Sequence, residues 1–183
     1  MKPALLLLAG LAGIGSAQAQ EPAPSDGPAL QDFNRRIGAY INLHKKALAD
    51  THRLKPTKSQ DKIEEHEHEF ARNLRAARHG VAQGNIFTPA IAAEFRRCLG
   101  ATMSGNQAPQ VRESLKRAEP VRLKLRVNSS YPQNVPLQSS PPSLLSGLPK
   151  LPPELEYRVA GGDLVLRDIE ANLIVDVLPN AIH

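Results

Sequence analysis

The chain has 183 residues, a formal net charge of +5, 41% hydrophobic residues and no tryptophan. That length suffices for one domain with a real core, while 4% aromatics and basicity interspersed with acids give a nucleic acid little to grip. With Cys98 the single cysteine, no disulfide forms within the chain.

Residues 1–19 read as a secretory signal. Lys2 supplies the positive start, Ala4 to Ile14 the short apolar run, and Ala17-Gln18-Ala19 a small-x-small cleavage site, with the cut before Gln20. The run is too short for a membrane span in the mature form, and no cysteine stands at the cut to carry a lipid. The expectation is a cleaved Sec-type signal and a periplasmic or secreted protein that is not a lipoprotein. Residues 20–28 are a Pro-containing leader, expected to be disordered. Residues 29–183 read as a single α+β domain, helical over 29–118.

Pro28 suits a first helical turn, and Leu30, Phe33, Ile37, Ile41, His44 and Leu48 recur at helical spacing until Pro56. Thr57-x-x-Gln60 has the form of a capping box. It predicts a second helix running to about Gly84, with Ile63, His66, Phe70, Leu74, Ala77 and Val81 along one stripe. Acids crowd its first half and Arg72, Arg75, Arg78 and His79 its second, which complements the helix dipole. The two helices are expected to form an antiparallel hairpin. Gly84-Asn85 reads as a C-terminal cap. Thr88-Pro89 then opens a third helix with Ile91, Phe95, Cys98, Leu99 and Met103 inward, broken at Ser104-Gly-Asn106. A short helix over Pro109 to Ala118 follows, with Val111 and Leu115 on its inner side.

After Pro120 the period changes to two. Val121, Leu123, Leu125 and Val127 alternate with Arg122, Lys124 and Arg126, predicting a strand over 121–127 beside the later sheet. The segment 128–153 carries seven prolines and cannot pair as a central strand, but Leu137, Leu144, Leu145, Leu148 and Leu151 suggest that it packs across the body.

Gly161-Gly162 between alternating runs predicts a two-residue hairpin loop. It sets Val159 against Leu164, Tyr157 against Leu166, Leu155 beside Asp168 and Glu156 against Arg167. A second turn at Ile169-Glu-Ala-Asn172 gives a third strand, with Val175 opposite Leu166 and Val177 opposite Leu164. The expected meander over 154–178 has one apolar face: Leu155, Tyr157, Val159, Leu164, Leu166, Val175 and Val177. The helices must supply its cover. Asp168 and Asn172 read as turn caps, and Asp176 as an outward acid beside the basic strand.

Candidate chemistry is sparse. Glu64-Glu-His66-Glu-His68-Glu69 places Glu64 and His68 one turn apart, but no zinc motif is completed nearby and the stretch reads first as a solvated acidic helix start. His44 and His66 fall on stripes of facing helices at similar distances from Pro56. With Glu67 they are a candidate divalent-metal site or pH-sensing pair, set against ordinary hydrogen-bonded histidines. Arg122, Lys124 and Arg126 form a candidate face for an anion or partner, or a solvated face. Cys98 reads as a buried, inert thiol. There is no Gly-x-Ser-x-Gly, no Walker loop, and no dinucleotide fingerprint outside the signal.

The stretch Leu151-Pro-Pro-Glu-Leu-Glu-Tyr157-Arg158, with Gly162-Asp163-Leu-Val-Leu166 and Ile174-Val175, resembles the C-terminal hairpin of small periplasmic proteins of the nickel/cobalt-homeostasis type. The helical part differs from those proteins, so the resemblance implies the hairpin alone and carries over no functional residue. With its Ile-Phe-Thr-Pro, Glu-Pro-Val-Arg and Leu-Glu-Tyr-Arg segments, the whole chain is similar to uncharacterised exported proteobacterial proteins, a group without an assigned activity. The expected function is non-enzymatic binding of a protein or cell-envelope component. The alternatives are a metal- or pH-responsive periplasmic protein using the histidine pair, and an enzyme, of which a hydrolase fits least badly.

Overall fold

The computed structural model describes residues 27–106, 108–117, 125–132 and 142–182. Within them the element order is α1 (Pro28–Ala49), α2 (Gln60–Ala77), α3 (Pro89–Ser104), α4 (Ala108–Arg117), the single turn α5 (Pro142–Leu145), then β1 (Leu155–Ala160), β2 (Asp163–Asp168) and β3 (Leu173–Leu178). The fold is α+β, with helices in the first part and a three-stranded antiparallel sheet at the end.

α1 and α3 begin where proline predicts, with Pro28 and Pro89 in the first turn, where a missing N–H is no loss. α2 is shorter than expected at both ends. The Thr57 hydroxyl accepts the Ser59 N–H in a local turn, leaving Ser59 as N-cap and Gln60 as the first helical residue. At the far end Arg78 leaves helical geometry, and Gly80 and Gly84 take positive φ. Ile63 and Ala77 are therefore exposed, and the buried residues of α2 are Phe70, Ala71 and Leu74. Phe70 sits beside His44 and Arg78 over Tyr40, so α1 and α2 run in opposite senses.

One buried cluster runs through α1, α2, α3 and the inner face of the sheet. Phe33, Phe70 and Phe95 are 0% exposed within it, each contributing on the order of 1.5–3 kcal/mol by burial. Phe95 tilts against Phe33 and Phe87 and touches Tyr157 from the sheet, tying helix to strand. Leu144 and Leu148 are buried, and Leu145 and Leu151 pack against the cluster, as expected for leucines of a segment that crosses the body. Leu137 lies outside the described residues.

The first hairpin has the predicted register throughout: Leu155↔Asp168, Glu156↔Arg167, Tyr157↔Leu166 and Val159↔Leu164. Gly161 and Gly162 both take positive φ, the condition for so tight a loop. The second hairpin departs from expectation by a bulge. Leu166 pairs with Asp176 and Arg167 with Ile174, so Val175 is left between them, and Leu164 faces Leu178 rather than Val177. Val177 moves to the outer face, where it joins Tyr131, Ala160, Val165 and Ile174 in a second buried cluster. The sheet thus has apolar side chains on both faces.

Of the predicted strand, residues 121–124 lie outside the described residues and residues 125–127 are not in a strand. The pairing occurs further on, where Ser130 bridges Leu173 and the segment 128–131 runs antiparallel along β3.

Candidate functional site

Two buried aspartates organise the interior. Asp168, at the end of β2, is 0% exposed. Its Oδ1 accepts the Ala171 N–H at 2.9 Å, which is the turn-capping role predicted for it. Its Oδ2 does something the sequence did not announce: it accepts the Tyr40 hydroxyl at 2.7 Å and lies 2.7 Å from His44 Nδ1. Tyr40 and His44 are one turn apart on α1, so both reach the same carboxylate. His44 Nε2 lies 3.6 Å from Glu170, and the His44 ring meets the Phe70 ring edge-on at 4.9 Å. Burial opposes charge on the His44 imidazole. The hydrogen bond to Asp168 and the fields of Asp168, Glu170 and Glu154 outweigh it and hold the pKa above the ordinary histidine value. Glu154 Oε2 is buried with no hydrogen-bond partner among the described residues. Burial, and then Asp168, push the Tyr40 phenol well above its usual value.

Asp176, expected to face outward, is also 0% exposed. The bulge turns it inward, where Oδ1 accepts the Gly84 N–H at 2.9 Å and Oδ2 those of Ile86 and Phe87 at 2.7 and 2.9 Å. Near it Arg78 is 3% exposed. Arg78 donates to Asn128 Oδ1 and to the Val175 carbonyl, both at 2.7 Å, and its guanidinium lies 5.0 Å from the Tyr40 ring centre. Burial lowers its pKa, opposed by Tyr40, Asp176 and Asp168. The arginine read as a dipole partner on the helix surface is a core residue.

A surface groove of about 670 Å³ lies beside these networks. α2 contributes Glu67, His68, Arg72 and Arg75 to one wall. The opposite wall is Ser130, Tyr131 and Pro132, and Ala171 and Asn172 of the β2–β3 turn complete it. Arg75 spans the two walls, donating to the Asn128 carbonyl at 3.1 Å and to Ser130 Oγ at 2.6 Å. Ala171 links groove and interior, since its N–H is held by Asp168.

The expected meeting of His44 with His66 is replaced by separate attachments. His44 Nδ1 is on Asp168, and His66 Nδ1 lies 2.9 Å from the His52 carbonyl in the α1–α2 loop. Both histidines do lie toward α1 and its following loop, but the sheet supplies the partner of the first. Glu67 lines the groove instead. Among the described residues no three His, Cys, Asp or Glu side chains gather as a metal site. Of the candidate anion face, Arg122 and Lys124 lie outside the described residues, and Arg126 is exposed. Cys98 is buried, and burial followed by the charge of Glu94 raises its pKa. No described helix is long and apolar enough to cross a membrane. Compared with protein-family models, curated proteins and solved structures, the chain matches none.

Proposed function

We propose that the chain is an exported, non-enzymatic binding protein whose groove between α2 and residues 130–132 holds a protein or cell-envelope component. The observation that carries the reading is the groove itself. It is about 670 Å³, opens to solvent, and is walled by a helix and an extended segment that Arg75 fixes together. Export is supported by the Lys2, Ala4–Ile14 and Ala17-Gln18-Ala19 pattern.

The test is a photocrosslinking residue at position 132, in the groove but outside its basic ridge, compared with one at Lys45, exposed on α1 outside the groove. In envelope extracts the first is expected to give one saturable adduct, identified by mass spectrometry, and the second none. Adducts of equal yield from both positions, or from neither, would remove the reading. Fractionation that finds the protein in the cytoplasm with residues 1–19 attached would remove export.

A second reading is a pH-responsive protein. It is favoured by one observation: a buried histidine, His44, whose two ring nitrogens face Asp168 and Glu170. In this form the sensing pair is His44 with its carboxylates rather than His44 with His66.

A further inference from the structure

We propose that the groove takes an acidic polypeptide segment in extended form, laid between a ridge of basic side chains on α2 and the strand edge at Ser130, which no described strand covers. This rests on the binding reading above and names its ligand class.

The ridge comes from spacing. His68, Arg72 and Arg75 stand at i, i+4 and i+7, on one helix face, and all three line the groove. Seven residues of helix span about 10 Å, the length of about three extended residues at roughly 3.3 Å each. Arg75 is held by the Asn128 carbonyl and Ser130 Oγ, so its guanidinium is fixed before a ligand arrives. Arg72 and His68 are exposed.

The opposite wall favours a peptide. Ser130 is bridged to Leu173, but the hydrogen bonds run from Tyr131 N–H to the Asn172 carbonyl and from Ile174 N–H to the Ser129 carbonyl, each at 2.9 Å. In such a pair the central residue turns its own N–H and C=O away from the partner strand. Ser130 therefore presents a donor and an acceptor outward, at the spacing an incoming extended chain matches. A sugar polymer has no such repeat. The groove also holds one acid among its described lining residues, Glu67, at the N-terminal end of the ridge.

The experiment is fluorescence anisotropy on the full chain with four labelled probes of equal length: hexaglutamate, hexaglutamine and hexalysine peptides and an anionic uronate oligosaccharide. The expected result is selective binding of hexaglutamate, weakening severalfold between about 50 and 300 mM salt. Arg72→Glu and His68→Glu are each expected to weaken it about tenfold or more, and Lys45→Glu to leave it unchanged, with melting curves confirming that all three fold. No binding of hexaglutamate, equal binding of hexaglutamine, indifference to Arg72→Glu, or tighter binding of the oligosaccharide overturns the proposal. A specific adduct from position 132 without affinity for hexaglutamate would overturn the acidic-peptide inference and leave the binding reading standing. Loss of that adduct would remove the reading itself.

Discussion

Asp168 and Asp176 lie on neighbouring strands, and each is fully buried, yet they are held by different kinds of partner. Asp176 is surrounded by main-chain N–H groups of residues 84, 86 and 87, which cannot change charge. Asp168 is met by one main-chain N–H and two side chains, Tyr40 and His44, of which the imidazole titrates while burial and Asp168 push the phenol out of the working pH range. The first arrangement pins a loop to a sheet through donors that carry no titratable proton. The second puts a titratable imidazole, with its pKa raised, at the joint between α1 and the β2–β3 turn, so the stability of that joint is expected to vary with pH. A buried acid is therefore defined less by its burial than by whether its donors titrate.

The strongest way to break this comparison is at Asp176. Asp176→Ala leaves three loop amides without their acceptor and removes one of the two buried carboxylates whose fields favour the Arg78 charge. A loss of about 3–5 kcal/mol is expected in urea unfolding. A loss below about 1 kcal/mol would mean that the 84–87 loop does not depend on the carboxylate.

The comparison sharpens at His44. Its folded pKa is raised, so the folded state binds this proton more tightly than the unfolded state. The resulting stability is fully present below the unfolded value of about 6.5, and it is lost as pH rises through the folded pKa. The melting temperature is expected to fall as pH rises from about 6 through that range. His44→Gln is expected to cost about 1–3 kcal/mol at the acid end and less at the alkaline end. Parallel pH profiles for the two proteins would show that His44 is not the responsive group.

The smallest effect is expected at Tyr40. Tyr40→Phe removes one hydrogen bond to Asp168 and keeps the ring under Arg78. It should cost about 1 kcal/mol and leave the pH slope in place, because the phenol is pushed out of the working pH range. Calorimetry across pH separates it from the His44 variant.

How much of this was legible follows from where local rules suffice. The β1–β2 register was readable because Gly161-Gly162 admits one tight loop and the alternation on either side agrees with it. The β2–β3 register was not, because nothing in Leu173–Leu178 marks Val175 as an extra residue. Strict alternation therefore sent Asp176 outward and Val177 inward. Asp168 was read as a turn cap, correctly but incompletely, since its second oxygen is claimed by α1. Tyr40 was passed over because the stripe from Ile37 was continued through Ile41. Its position one turn before His44 was the available signal. Arg78 looked like a solvated basic residue near a helix end. Its burial depends on Asn128 and Val175, 50 and 97 residues away, which no local pattern encodes.

The order of the elements has a consequence during synthesis. The inner wall of the main core comes from residues 155–178, which follow all the described helices, and the loop of the first hairpin is tied down later still, when Ala181 and Ile182 donate to the Gly162 carbonyl. On a translating ribosome the apolar stripes of α1 and α3 emerge well before their cover and stay open to a holding chaperone until the last turn is made.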